Sequence, residues 1–157
     1  LPDEERYSDA GMAPISAPHQ IQQEALDRLK ALLTEHMSDE RLLLTWFGQF
    51  MTEPRYPELL QGEDLQASQL QQALDEGAML VRNPSARLAW AELGDELMLF
   101  ASGQGRLLGG ELRELLQLLC QAPALHADNL APWLQQEEAH TLLLELIKQG
   151  SLEFADE

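Results

Sequence analysis

The chain contains a single cysteine, Cys120, among its 157 residues, so it cannot form a disulfide bond within itself. Unpaired thiols are typical of reducing compartments, and we therefore predict a cytoplasmic protein. The sequence also lacks any apolar run near the roughly 20 residues that a membrane-spanning helix needs. We expect no association with a membrane.

Basic residues are scarce: 10 Lys and Arg stand against 27 Asp and Glu, which gives a net charge of -17. Affinity for nucleic acid depends largely on cations that neutralise phosphates, so this balance predicts no direct binding to DNA. A basic protein partner would be electrostatically compatible with the chain. The same charge is also explained by solubility alone.

The first third of the chain is predicted to contain an extended connector followed by two helices. Residues 1–20 carry Pro2, Gly11, Pro14 and Pro18 and are predicted to be an extended connector. A helical period begins at Ile21, and Ser38 or Asp39 is expected to cap a second helix. That second helix is apolar on more than one side, which indicates that another domain or a second copy of the chain covers it. Its apolar residues are Leu42, Leu43, Leu44, Trp46, Phe47, Phe50 and Met51.

The middle of the chain changes from a linker to strands. Residues 52–67 have the composition of a linker, after which Ser68 is expected to cap a short helix that ends at Gly77. Three short apolar runs follow at residues 79–81, 88–91 and 97–100, and they predict three antiparallel strands. The Gly-rich residues 102–105 are interpreted as a turn that ends the third strand.

After residues 109–110 the helical period returns. Leucines recur at spacings of three and four, and two further helices are predicted at about residues 129–135 and 137–149. Residues 151–154 are expected to add a closing strand. The helix that directly follows residues 109–110 carries Leu112, Leu115, Leu116 and Leu119 on one face. The pattern as a whole predicts an α+β fold with a small antiparallel sheet in a winged-helix-like domain.

Three blocks of this sequence together resemble the bacterial JmjC/cupin ribosomal oxygenases. They are Tyr7-Ser8-Asp9, the aromatic block at residues 46–57, and residues 76–82. The resemblance implies a non-catalytic C-terminal portion of such an enzyme, with a connector from an upstream domain at 1–20. It further implies a helical homodimerisation region at 21–65 and a winged-helix-like domain at 66–157.

The resemblance also implies what lies around this portion. Fe(II) and 2-oxoglutarate are expected in a barrel domain upstream of Leu1, in an enzyme that hydroxylates an arginine of a ribosomal protein. Within this chain we expect no catalytic, cofactor-binding or metal-binding residue. The dimer interface is expected to involve Leu43, Trp46, Phe47 and Phe50, which lie on the second helix.

Two other functions are compatible with the residues. One is a stand-alone acidic interaction module that binds a basic partner. The other is an independent enzyme, because His126, Asp128 and His140 reproduce the order of a His-x-Asp…His iron triad. We disfavour the triad because its residues lie in a helical segment, where Asp128 is expected to cap a helix. Cys120 lies among leucines and is interpreted as a small core residue without a basic neighbour.

Overall fold

The computed structural model describes residues 19–155, with the side chain of His36 excepted. Most of the connector predicted at residues 1–20, and the motif that begins at Tyr7, lie outside the described residues. The helices within that range are α1 (Gln23–Met37), α2 (Glu40–Thr52), α3 (Ala67–Asp75), α4 (Arg113–Gln121), α5 (Ala127–Leu130) and α6 (Glu137–Lys148). The strands are β1 (Met79–Arg82), β2 (Leu88–Leu93), β3 (Glu96–Ala101), β4 (Gln104–Gly109) and β5 (Leu152–Ala155).

The chain divides into two compact units, Leu1–Leu44 and Thr45–Glu157. In the first unit α1 forms as its apolar period predicted. The residue that caps α2 is Asp39, one of the two predicted candidates. Its Oδ1 accepts the backbone N–H groups of Arg41 and Leu42 at 3.1 and 3.2 Å, which satisfies two of the donors that a helix leaves unpaired at its start.

The segment between α2 and α3, which was predicted to be a linker, contains a short helical turn and packs against the rest of the second unit. Residues Pro57–Leu59 form a 3₁₀ turn, and the N–H of Glu63 donates to the carbonyl of Ile147 at 3.3 Å. A Cβ added at Gly62 would lie only 1.8 Å from the backbone oxygen of Lys148. This segment therefore packs on the C-terminal end of α6, at a distance that only glycine permits.

Both ends of α3 are set by local hydrogen bonds. The prediction that Ser68 caps the helix is wrong: Gln66 precedes the helix, and its N–H donates to Oε1 of Gln69 at 2.7 Å. At the other end, Gly77 has φ +96° and the N–H of Ala78 donates to the carbonyl of Ala73. That is the Schellman arrangement expected of a glycine just past a helix.

The strands form two small antiparallel sheets rather than one set. In the first sheet, β1 pairs with β5, and in the second the order is β2-β3-β4. The turn predicted at residues 102–105 does end β3, but it is shorter than expected and leads into a fourth strand that the sequence did not predict. The turn is only Ser102-Gly103, with φ +52° and +85°, and β4 begins directly after it. Two consecutive positive φ angles give the tight turn that suits a two-residue hairpin.

Leucine side chains from α3, α4, α6 and the inward face of β3 fill one core. Leu112, Leu115, Leu116 and Leu119 are all buried, as the spacing of three and four predicted. The helix predicted at 129–135 is instead the short α5. Asp128 lies inside α5. The residue that precedes the helix is His126, which donates its N–H to Oδ1 of Asn129 at 2.9 Å. The expectation that Asp128 caps this helix is therefore wrong.

Candidate functional site

The outer face of α2 carries the largest exposed aromatic side chains among the described residues. Trp46, Phe47 and Phe50 are 62%, 50% and 64% exposed. The rings of Trp46 and Phe50 stack with centroids 5.7 Å apart and planes 10° apart, as residues one helical turn from each other can. Leu43, the fourth residue predicted for an interface, is 41% exposed. Exposed apolar area of this kind marks a surface for association.

The opposite face of α2 is fixed against the second sheet. Gly48 is buried, and a Cβ built on it would lie 2.3 Å from the ring of Phe100 in β3. Four residues later, the buried Thr52 donates its hydroxyl to the carbonyl of Gly48 at 2.8 Å and accepts the N–H of Gly103 at 3.0 Å. The second half of α2 is thus held at a set distance and rotation, which directs the aromatic side chains away from the sheet.

A groove of about 480 Å³ runs beside the stacked rings. Trp46 and Phe50 form one wall, and the β3–β4 turn at Ser102 and Gly103 forms the other. Its remaining lining is Gln49, Glu53 and Pro54. The apolar pattern of α2 predicts the aromatic residues of this surface but not the roles of Gly48 and Thr52, which position them. A glycine in the middle of an otherwise bulky apolar helix was the available signal for a close approach.

The iron-triad residues of the disfavoured enzyme hypothesis are spread over α5, the residue that precedes it, and α6. His126 precedes α5, Asp128 lies within it and His140 lies in α6. Among residues 19–155 no group of three or more His, Cys, Asp or Glu side chains is arranged to hold a metal ion.

Cys120 does have a basic neighbour, contrary to the expectation from the sequence. Nη1 of Arg82 donates to the backbone carbonyl of Cys120 at 2.9 Å. Burial of the thiol raises the pKa of Cys120, and the positive charge of Arg82 lowers it by less, so the pKa is raised overall. A thiol with a raised pKa is a poor nucleophile at neutral pH.

Two arginines of the second unit are engaged by carboxylates. Nη1 of Arg106 lies 2.7 Å from Oε2 of Glu145, and Nη2 of Arg113 lies 3.1 Å from Oε1 of Glu92. Helix α6 begins with Glu137 and Glu138 and carries one basic residue in its last turn, Lys148. In the part of the chain described here, no helix is long and apolar enough to span a membrane.

A family model described as the ROXA-like winged helix matches residues 35–153. The chain belongs to the ROXA-like winged-helix family. This assignment confirms the α+β winged-helix-like fold and the resemblance to ribosomal oxygenases that the three sequence blocks carry.

A relative in Escherichia coli K12, the ribosomal protein uL16 3-hydroxylase, is 25% identical over 146 residues. The match covers 92% of this chain and 38% of that protein. A solved structure of YcfD, a ribosomal oxygenase from Escherichia coli in complex with cobalt and 2-oxoglutarate, is similar with a TM-score of 0.63 at 24% identity. That match covers 96% of this chain and 41% of the YcfD chain.

A second structure of Escherichia coli YcfD, in complex with cobalt and succinic acid, gives a TM-score of 0.62 at 24% identity. It too is covered over only 41% of its length, against 96% of this chain. The chain thus spans about two fifths of the relatives that it matches, and it corresponds to their C-terminal region. At this identity the structures show a shared fold.

Proposed function

We propose that this chain is the non-catalytic C-terminal part of a ribosomal-protein hydroxylase, and that it holds two copies of that enzyme together. The match to the C-terminal two fifths of the uL16 3-hydroxylase supports the first statement. The cobalt and 2-oxoglutarate bound to YcfD support Fe(II) and 2-oxoglutarate as the cofactors of the upstream domain, since cobalt, like iron, is a divalent first-row metal. An arginine of a ribosomal protein is the proposed substrate.

The observation that carries the second statement is the exposed aromatic face of α2. Residues 42–51 contain no charged side chain, although the chain as a whole has a net charge of -17. Two identical acidic chains repel each other, so they associate most readily where neither presents a charge. Trp46, Phe47 and Phe50 together form an aromatic cluster of the kind that stable interfaces bury at their centre. Leu43 extends the same apolar surface toward the start of the helix.

In such a homodimer, the role of this chain would be structural rather than catalytic. Each copy's α2 is held against its own sheet through Gly48 and Phe100, so the aromatic face is presented by a rigid element. Two such elements that pack face to face would hold two copies of the chain together. This is the role that we assign to the chain within its parent enzyme.

Sedimentation equilibrium of the chain and of two alanine variants tests the dimer. We expect a species of about twice 17.6 kDa for the unaltered chain, and monomers for Trp46→Ala and Phe50→Ala. Truncation of a central aromatic residue in an interface costs about 2–4 kcal/mol of association free energy. Because both side chains are exposed in the single chain, dilute monomers should keep their helical circular dichroism.

Leu59→Ala is the matched control, since Leu59 is a similarly exposed apolar residue, 52% exposed, that lies outside α2. It should leave the dimer intact. An unaltered chain that stays monomeric at high concentration would rule out the proposed interface. So would aromatic variants that dimerise as well as the Leu59 control.

A further inference from the structure

Strand β4 is one edge of the second sheet, because within residues 19–155 it pairs only with β3. In the two-residue hairpin, the pair Ala101–Gln104 closes the turn and exchanges hydrogen bonds. Because hydrogen-bonded and non-hydrogen-bonded pairs alternate along antiparallel strands, the backbone groups of Gly105, Leu107 and Gly109 point away from β3. The structure agrees at the last position, where the N–H of Gly109 donates outward to Oε1 of Glu138 at 2.7 Å.

Among residues 19–155, nothing donates to or accepts from the outward N–H and C=O groups of Gly105 and Leu107. The Leu107 side chain is 37% exposed. An open strand edge of this kind is a template for pairing with another extended chain.

Helix α6 runs beside this edge, and a groove of about 560 Å³ lies between the two. Its apolar lining is Leu107 and Leu108 from β4 and Leu142 from α6. Glu137 and Glu138 from the first turn of α6 line the same groove. Its one basic residue, Arg106, is already paired with Glu145 at 2.7 Å. The groove therefore combines an open strand edge, an apolar floor and two carboxylates that form no ion pair with any residue in the range 19–155.

We propose that this groove, formed by β4 and α6, binds an extended, Lys- or Arg-bearing segment of another protein as an added strand. Main-chain hydrogen bonds to Gly105 and Leu107 would supply binding, and alternate side chains would reach the apolar floor. Basic side chains of the segment would lie against Glu137 and Glu138, which selects a cationic partner. This site lies on a different element from the α2 face and does not depend on the dimer.

The test uses the full 157-residue chain and a fluorescein-labelled peptide of alternating valine and lysine, with binding followed by fluorescence anisotropy. Two altered peptides separate the contributions. One carries backbone N-methyl groups on alternate residues, which remove hydrogen-bond donors at unchanged charge, and the other replaces lysine with glutamate. We expect saturable binding of the first peptide, binding about tenfold weaker after N-methylation, and none of the acidic peptide.

Variants of the chain test the same contacts from the other side. Leu107→Pro removes an N–H that points away from β3, so the hairpin can keep its ladder while the added strand loses a donor. We expect it to weaken binding about tenfold, whereas Leu107→Val, which keeps the N–H, should bind nearly as the unaltered chain does. Glu137→Gln should weaken binding about threefold. Glu114→Gln, a first-turn glutamate of α4 outside the groove, is its control.

Amide chemical shifts of residues 105–109 should move on titration with the peptide. The proposal is overturned if the valine–lysine peptide shows no saturable binding, or if the N-methylated peptide binds equally well. It is also overturned if the shifts of residues 105–109 stay unchanged. Self-association of the chain that Leu107→Pro abolishes would mean that a second copy occupies the edge, which likewise contradicts a basic partner.

Discussion

At the scale of single residues, Gly48 decides how closely α2 approaches the sheet. Gly→Ala in a helix usually stabilises by about 1 kcal/mol. Here the added Cβ would lie 2.3–2.4 Å from the ring of Phe100, which is buried and cannot move aside freely. We predict that Gly48→Ala instead costs about 1–3 kcal/mol of unfolding free energy, measured by urea denaturation.

Gln49→Ala, at the exposed neighbouring position, is the control for helix propensity and should be close to neutral. Combining Gly48→Ala with Phe100→Leu should cost less than the sum of the two single changes, because the smaller side chain makes room. A Gly48→Ala protein as stable as the unaltered chain would contradict the packing described for α2.

The thiol of Cys120 gives a pH-dependent prediction at the same scale. Burial raises its pKa above the ordinary value of 9.0, and Arg82 offsets part of that rise. Folding therefore favours the protonated thiol. Its contribution to stability is fully present below pH 9.0, the unfolded value, and is lost as pH rises through the higher folded value.

Iodoacetamide should accordingly alkylate the folded chain more slowly than the urea-unfolded chain at neutral pH. Arg82→Gln should slow the reaction further, because it removes the charge that favours the thiolate. Arg87→Gln, an exposed change outside this contact, should leave the rate unchanged. A folded chain that reacts faster than the unfolded one would contradict the assignment.

At the scale of elements, Thr52 joins the end of α2 to the β3–β4 turn. Its hydroxyl accepts the N–H of Gly103 at 3.0 Å and donates to the carbonyl of Gly48 at 2.8 Å. Thr52→Val keeps the shape but leaves the Gly103 N–H without its acceptor. We predict a loss of about 1–3 kcal/mol in unfolding free energy. Thr52→Ser, which retains the hydroxyl, should lose clearly less, and equal losses for both would refute the linking role.

Some helices and strands of this fold can be predicted from the sequence and others cannot. Helices α4 and α6 were predicted because leucines recur at spacings of three and four over whole turns. Strand β4 was not, because its sequence has glycines at 105 and 109 and no β-branched or aromatic residue. The pairing of β1 with β5 was also missed, since a local pattern does not specify a partner far along the chain.

The candidate site likewise has a part that the sequence predicts and a part that only the structure shows. The apolar pattern of α2 predicted that Trp46, Phe47 and Phe50 need cover, and all three are exposed in the single chain. The pattern could not predict that Gly48 meets Phe100, because that contact depends on tertiary packing. The edge of β4 could not be proposed at all until the strand itself was placed.

At the scale of the whole molecule, charge governs the choice of partners. With a net charge of -17, and with Arg106 and Arg113 engaged by carboxylates, the chain should not bind duplex DNA. Fluorescence anisotropy with a labelled duplex at low salt should show no saturable signal. Micromolar affinity that weakens steeply with added salt would contradict this reading of the winged-helix surface.

The central claim concerns the enzyme to which this chain belongs. An antibody raised against the chain should recover, from a lysate of the source organism, a protein larger than 17.6 kDa by a whole domain. In the presence of oxygen, the recovered material should convert 2-oxoglutarate to succinate and CO2 only when Fe(II) and a ribosomal-protein substrate are also present. Recovery of a 17.6 kDa species without this turnover would contradict the claim and favour a stand-alone acidic binding module.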